Sequence, residues 1–189
     1  MADLAFPMPE IPAPEIPVID TERLSLRGHC LKDFSDSAAM WANARVTHYI
    51  GVTPFTTSEA WSRLLRHRGH WSLLGFGFWV VRERLTDRFV GEVGFFDLKR
   101  DIEPRFDGTP EIGWALSPWA HGQGFATEAV RAAVRWGDEN LGSPRSVCII
   151  DSRNLASIRV ATKCGYVPSH LAMYKGEAVS VYERSAGSG

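Results

Sequence analysis

Cysteine is scarce in this sequence, at three in 189 residues. The number is odd and no Cys-x-x-Cys pair occurs, which argues against a disulfide framework and against a cysteine-ligated zinc site. Cys148 lies in an apolar run and Cys164 near the end of a predicted helix, so both are interpreted as small buried hydrophobic residues. This use of cysteine predicts a protein of the reducing cytoplasm.

A charge excess and a long hydrophobic run are missing as well. The formal net charge is −1 at pH 7, whereas a nucleic-acid binder that neutralises phosphates would carry a strong basic excess. The apolar stretches are too short to cross a membrane. The first cationic side chain is that of Arg23, so we expect no secretory leader. Neither nucleic acid nor a membrane is therefore an expected partner.

Apolar residues make up 44% of the chain, enough to build a sizeable core, and the length fits one domain. Residues 5–17 hold five prolines, which remove backbone donors and favour an extended chain. We therefore predict a flexible arm over residues 1–20, a folded domain over residues 21–184 and a flexible tail over residues 185–189.

Hydrophobic periodicity predicts an α+β (mixed α/β) fold with about seven strands and four flanking helices. Strand–helix–strand units favour parallel strands, so the two strands around the helix at 124–140 should be parallel within a mostly antiparallel sheet. Helix caps are predicted at Thr57 or Ser58 and at Gly75. The predicted elements are a strand at 24–26, helices at 32–42 and 57–73, a hairpin of 76–83 and 88–98, a strand at 111–116, a helix at 124–140, a strand at 146–150, a helix at 154–164 and two strands within 166–184.

The most informative stretch is His-Gly-Gln-Gly-Phe-Ala-Thr-Glu at residues 121–128, between a predicted strand and a predicted helix. Two glycines let the backbone turn tightly, and the first amides of a helix form a site for phosphate or pyrophosphate. The dinucleotide-binding fingerprint would place a third glycine where Thr127 stands, and the Gly-Lys-Ser/Thr of a P-loop is absent.

The sequence resembles the GNAT acetyltransferase superfamily, and within it the RimJ/RimL-like branch. The resemblance covers residues 21–184 and rests on motifs in the right order. It implies a sheet with a splayed pair of parallel strands and acetyl-coenzyme A as co-substrate. The motifs are Thr-Glu-Arg-Leu at 21–24, the strand at 111–116, the loop at 121–127, Asn-Leu-Ala-Ser at 154–157 with its continuation to 166, and the closing segments at 174–177 and 182–184.

By this resemblance, the loop holds the coenzyme pyrophosphate, Leu116 lies beside the pantetheine arm and Asn154 contacts it. One departure is His121, which stands where the family usually has Gln or Arg, so a permanent positive side chain near the phosphates is lost. The implied coenzyme-binding residues are Leu116, His121, Gly122, Gln123, Gly124, Phe125, Ala126, Thr127, Asn154 and Arg159.

Two residues are candidates for the acid–base chemistry. The resemblance places Ser157 near the thioester sulfur, where it could protonate the leaving thiolate; the alternative is a solvent-facing helix serine. Asn154 could equally be a plain helix N-cap. Glu111 is the candidate base, and its alternative role is a salt bridge to a nearby arginine. Glu92 and Asp97 are weaker candidates for the base.

The expected acceptor is a primary amine, either a protein N-terminal α-amine or a small molecule, which attacks directly in a ternary complex. Its pocket is predicted between the two early helices and the loops at 46–55 and 99–109, where Asp101, Glu103 and Asp107 would suit a cationic amine. A non-catalytic acyl-coenzyme A sensor and an unrelated phosphate-binding module stay open, as do a monomer and a homodimer.

His67 and His70 lie on one predicted helix beside several arginines. Because the sequence alone places no third ligand near them, no metal site is expected and both are interpreted as surface residues on a basic face.

Overall fold

The computed structural model of the chain describes residues 15–50, 53–106, 108–143 and 145–187. Most of the predicted N-terminal arm and the predicted pocket residue Asp107 lie outside this part. Ile16 is buried against the core, and the Pro17 carbonyl accepts a hydrogen bond from Trp79 Nε1 at 2.9 Å. The segment that leads into the first strand is thus packed on the sheet.

Nine strands and five α-helices occur in the described residues, where the sequence predicts about seven and four. The additional elements are short. The helices are α1 (Phe34–Trp41), α2 (Ala44–Thr47), α3 (Thr57–Leu74), α4 (Phe125–Asn140) and α5 (Leu155–Lys163). The strands are β1 (Ile19–Asp20), β2 (Leu24–Arg27), β3 (Phe78–Glu83), β4 (Phe89–Phe96), β5 (Ile102–Glu103), β6 (Glu111–Leu116), β7 (Arg145–Ile150), β8 (Val167–Tyr174) and β9 (Glu177–Ser185).

All nine strands form one sheet in the order β1-β2-β3-β4-β6-β7-β9-β8-β5. Every neighbouring pair is antiparallel except β6 and β7, which are parallel as predicted and pair at Glu111 and Val147. That pair lies at the start of β6. From there towards their carboxyl ends the two strands separate, which opens the sheet beside the residues that lead into α4.

Helices cover both faces of the central strands, and every residue of β4 is buried. The α4 face that meets the sheet carries small residues, among them Ala129 and Ala133, which let helix and strand approach closely. At Gly137 the approach is so close that an added Cβ would lie 2.7 Å from the Phe95 ring. The predicted interpretation of Cys148 and Cys164 as buried residues is confirmed.

The helix ends follow local chemistry. The N-cap of α3 is Thr56, whose hydroxyl and Glu59 form a reciprocal capping box, so the predicted cap at Thr57 or Ser58 is wrong by one or two residues. Gly75 ends α3 at φ +73°, as predicted. Within the described residues, no helix combines the length and the apolarity that a membrane span requires.

Candidate active site

The segment between β6 and α4 forms an open loop with a helix N-terminus at its base. Gly122 and Gly124 have φ of +77° and +81°, a left-handed conformation that glycine adopts without strain. The first backbone hydrogen bond of α4 runs from the Glu128 amide to the Gly124 carbonyl at 3.1 Å. The amides of residues 125–127 are therefore left without helical acceptors. Residues 121–124 are exposed, so an anion can reach these amides.

Two side chains of the loop bond back to the protein. Gln123 Nε2 donates to the Trp119 carbonyl at 2.6 Å. His121 Nε2 lies 3.0 Å from the Leu116 carbonyl. The structure thus brings together Leu116 and His121, two predicted coenzyme-binding residues, but it turns the imidazole towards the end of β6.

A clamp from the N-terminal end of the domain holds the start of α4. Glu128 Oε1 accepts hydrogen bonds from the Thr21 hydroxyl at 2.6 Å and from the Arg23 amide at 2.9 Å. Arg23 Nη2 lies 2.6 Å from Glu128 Oε2, and Arg23 Nη1 donates to the Gln123 carbonyl at 3.0 Å. The sequence analysis used Thr-Glu-Arg-Leu only as an opening strand and missed this role. The signal was the pairing of a Thr-x-Arg motif with an acidic residue in the first turn of a helix.

Glu111 is buried at the start of β6, where β6 and β7 are still paired. Arg100 binds its carboxylate with two hydrogen bonds, Nε to Oε2 at 2.7 Å and Nη2 to Oε1 at 3.1 Å. Burial raises the pKa of Glu111 above its usual value, although the hydrogen bonds from Arg100 oppose that shift. The salt bridge named as the alternative role of Glu111 is therefore present. With this salt bridge in place, Glu111 is a buried carboxylate whose pKa is raised above its usual value.

A pocket opens beside this ion pair and is formed largely by the predicted acceptor loop. The guanidinium of Arg100 lies between the rings of Phe96 and Tyr174, at 5.4 and 4.7 Å from their centroids. Asp101 and Glu103 are exposed, and they are not among the residues that line the pocket. The lining residues include Phe96, Arg100, Ile102, Phe106, Thr109 and Glu111.

Asn154 is the N-cap of α5, and its side chain accepts a hydrogen bond from the Ser157 amide at 3.1 Å. The N-cap role of Asn154 is therefore present in the structure. Ser157 is half-buried, and its hydroxyl makes no hydrogen bond within the described parts of the chain. Arg159 is exposed on the same helix.

The two weaker candidates for the base have other partners. Asp97 pairs with Lys99 on the surface. Glu92 is fully buried under α1 and α3, and its carboxylate accepts hydrogen bonds from the Ser37 hydroxyl at 2.6 Å and from Trp41 Nε1 at 3.0 Å. A carboxylate enclosed in this way is out of reach of an acceptor amine, which leaves Glu111 as the better candidate.

The prediction that His67 is a surface residue is wrong, because its imidazole is buried against Glu92; His70 is half-buried. The Nε2 atoms of His29 and His67 lie 3.3 and 3.4 Å from the Glu92 carboxylate. The ligand atoms of the three residues lie within 4.8 Å of one another, so the structure supplies the neighbours that the sequence could not place. Arg63 Nε, at 3.6 Å, already balances the buried negative charge.

These features match a known family. A family model for the acetyltransferase (GNAT) domain matches residues 23–167, and the chain belongs to this family of acetyltransferases. It is 29% identical over 170 residues to the N-acetyltransferase p20 of Bacillus licheniformis, itself uncharacterized, covering 86% of this chain and 91% of that protein.

Solved structures share the fold. The acetyltransferase from Agrobacterium tumefaciens str. C58 matches with a TM-score of 0.77 at 27% identity, covering 93% of this chain and 98% of that one. RimL, a ribosomal L7/L12 alpha-N-protein acetyltransferase in complex with coenzyme A, matches with a TM-score of 0.74 at 14% identity, covering 92% of this chain and 100% of that one. The second likeness is one of fold alone.

Proposed function

We propose that the protein is an N-acetyltransferase that moves an acetyl group from acetyl-coenzyme A to a primary amine by direct attack in a ternary complex. The observation that carries this proposal is the open loop at residues 121–124, whose two left-handed glycines leave the first amides of α4 free for a pyrophosphate. The loop follows directly on the strand that separates from β7, so a pantetheine arm can extend from the loop into the opened sheet.

The coenzyme residues proposed are those of the loop and of α5. The amides at 122–127 bind the pyrophosphate, Leu116 and Asn154 lie along the pantetheine arm, and Arg159 supplies an exposed cation. The fold shared with RimL, which was solved in complex with coenzyme A, supports this placement. Because the His121 ring is bonded to the Leu116 carbonyl, we assign to His121 mainly a role in fixing the loop.

The chemistry requires a neutral amine and a protonated leaving thiol. As the amine nitrogen bonds to the acetyl carbonyl and the carbon–sulfur bond breaks, Glu111 takes the ammonium proton. Ser157 donates a proton to the thiolate and regains one from solvent water. The raised pKa of the buried Glu111 carboxyl makes its carboxylate a stronger base than that of an exposed glutamate. The free hydroxyl of Ser157 suits a donor that is not committed elsewhere.

The acceptor is proposed to be a protein N-terminal α-amine or a small-molecule amine. An α-amine has a reference pKa of about 7.7–8.0, against about 10.4 for lysine, so it needs only modest help from a base near neutrality. This difference favours an acceptor with an α-amino group over a lysine side chain. The pocket beside Glu111 is the proposed binding place of the acceptor.

The experiment that tests the proposal is the release of thiol from acetyl-coenzyme A with a pool of N-terminal peptides and small amines. We expect release that depends on the acceptor pool, and division of the pool then identifies the acceptor class. Tight binding of acetyl-coenzyme A without release for any acceptor would instead support a sensing protein. Equal binding of ATP and coenzyme A would contradict the assignment of the loop.

A further inference from the structure

The loop at 121–127 carries no lysine or arginine of its own, yet a guanidinium lies against it. Arg23 Nη1 donates to the Gln123 carbonyl at 3.0 Å, and the guanidinium carbon lies 4.5 Å from the centroid of the Phe125 ring. A Cβ atom added at Gly124 would lie 3.4 Å from Arg23 Nη2. A permanent cation is thus placed next to the amides that the helix leaves free.

Arg23 still has donors to offer. A guanidinium has five N–H groups. Glu128 accepts from Nε, at 2.7 Å, and Gln123 accepts from Nη1, at 3.0 Å, while Nη2 lies 2.6 Å from Glu128 in the ion pair. At least one N–H on each terminal nitrogen then has no acceptor among the described residues, and 43% of the side chain is exposed. Paired terminal N–H groups of this kind match two oxygens of a phosphate.

The other basic side chain of the loop region is turned away. The His121 ring lies against the Leu116 carbonyl. A guanidinium is always charged. The sequence predicts that His121 deprives the loop of a permanent positive side chain near the phosphates. Arg23 supplies a permanent positive charge at the same loop.

We propose that Arg23 is a ligand of a coenzyme phosphate, and that Glu128 is a positioning residue that fixes the orientation of its guanidinium. This inference rests on the proposed function, and it adds a binding residue that lies about a hundred positions before the loop in the chain. The phosphate is either in the pyrophosphate or at the 3′ position of the ribose, and both present the same oxygens to a guanidinium.

The test compares two variants that break the same ion pair from opposite sides. Arg23→Gln removes the cation, and Glu128→Gln removes the carboxylate but keeps the cation. Arg145→Gln is the charge control, because Arg145 is exposed at the start of β7 and pairs with Glu183 of β9, at 3.2 Å, rather than with the loop or the clamp. Dissociation constants are measured by calorimetry for coenzyme A and for dephospho-coenzyme A, and competition is measured for pantetheine, which has no phosphate.

We expect Arg23→Gln to weaken coenzyme A about tenfold, in line with the loss of a charge-assisted hydrogen bond. Glu128→Gln should weaken it clearly less, Arg145→Gln should leave it unchanged, and pantetheine should bind all four proteins alike. If dephospho-coenzyme A also loses about tenfold with Arg23→Gln, the ligand is the pyrophosphate. If it is insensitive, the ligand is the 3′-phosphate, and the proposal stands in both cases.

Equal losses for Arg23→Gln and Glu128→Gln would overturn the inference, because they would show that the pair only holds the loop. No loss for Arg23→Gln would overturn it as well. If Arg23→Gln fails to fold, Arg23→Lys takes its place, because it keeps the positive charge but loses the paired N–H groups of the guanidinium. An affinity of Arg23→Lys for coenzyme A equal to that of Glu128→Gln would count against the inference. Absence of coenzyme A binding by the unchanged protein would reject the proposed function itself, so the two failures are distinguishable.

Discussion

At the scale of single residues, the proposed acid–base chemistry depends on Glu111 and its partner Arg100. Burial raises the pKa of this carboxyl above its usual value, and the hydrogen bonds from Arg100 oppose the shift. We expect Glu111→Gln to lower kcat/KM at neutral pH by about 10²- to 10⁴-fold, the usual size of a general-base contribution, with the coenzyme A affinity unchanged. Steady-state rates and calorimetry measure the two quantities. Glu103→Gln, at an exposed carboxylate of the same segment, is the control.

A substitution of Arg100 tests the same assignment through its pH dependence. Removing the cation removes a stabilising partner of the carboxylate, so Arg100→Gln should raise the pKa of Glu111 further. A base with a higher pKa stays protonated to higher pH, and the acid limb of the kcat/KM profile should move to higher pH. Arg145→Gln breaks an exposed arginine–glutamate pair of 3.2 Å and should leave the profile in place. An unmoved acid limb in Arg100→Gln would remove Glu111 from the mechanism.

What the sequence reveals at this scale is limited to local patterns. The glycines of the loop and the cap at Asn154 are visible because their partners lie within a few positions along the chain. The partners of Glu111 and Glu128 are not, because Arg100 and Arg23 lie 11 and 105 positions away. Ion pairs of this kind are set by sheet registration, which a single sequence does not report. The interpretation of His67 failed for the same reason, since Glu92 lies on another element.

At the scale of elements, the long strands and helices are predictable and the short ones are not. β6 has the predicted bounds because its apolar run is bordered by clear breaks. β1 and β5 are two residues long, too short for alternation to register, and α2 has four residues. β1 and β5 form because β2 and β8 offer them an edge to pair with, which is a tertiary effect. The parallel pairing of β6 and β7 could be predicted because a helix connects them.

The role of Gly124 at the start of α4 can be tested against a second glycine that has the same backbone conformation. Gly124 and Gly176 have nearly equal φ, +81° and +79°, and Gly176 lies in a hairpin turn outside the coenzyme loop. Alanine at either position should cost about 1–3 kcal/mol of stability, because a side chain disfavours this conformation. Only Gly124→Ala should also weaken coenzyme A, since it distorts the amides of the phosphate site. Thermal melts and calorimetry separate the effects, and equal coenzyme A affinities would contradict the loop assignment.

At the scale of the whole molecule, one sheet separates two differently built layers. The face under α4 is packed with apolar residues, while the face under α1 and α3 contains a buried carboxylate with polar partners. Cross-strand pairing places Glu92 opposite Ala115 and Glu111 opposite Phe96, so both carboxylates point to the same face. The proposed base Glu111 thus lies on the side of the sheet whose polar groups are enclosed. The free energy of unfolding should therefore depend on pH through the ionisable groups enclosed on that face.

Burial lowers the pKa of His67 to about 3. In the unfolded chain a histidine titrates near 6.5, so between these values the unfolded state binds more protons than the folded one. The free energy of unfolding should therefore fall as the pH falls below about 6.5, by roughly 1.4 kcal/mol per pH unit from this group. The pKa of Glu92 is also displaced: burial acts to raise it, but the contacts with His29 and His67 hold it well below its usual range, which adds a loss of the same sign at lower pH.

Denaturant unfolding at pH 7.5, 6.5, 5.5 and 5.0 measures this dependence directly. His67→Gln removes the titrating group, and it should lower stability at neutral pH but flatten the decline between pH 6.5 and 5.0. His170→Gln, at an exposed histidine of β8, should reproduce the slope of the unchanged protein. If His67→Gln kept the full slope, the decline would have to come from other groups, and His67 would take up its proton in the folded state. A flattened slope would instead show that the enclosed face keeps this imidazole neutral, and that its burial between α3 and the sheet is what makes the fold sensitive to acid.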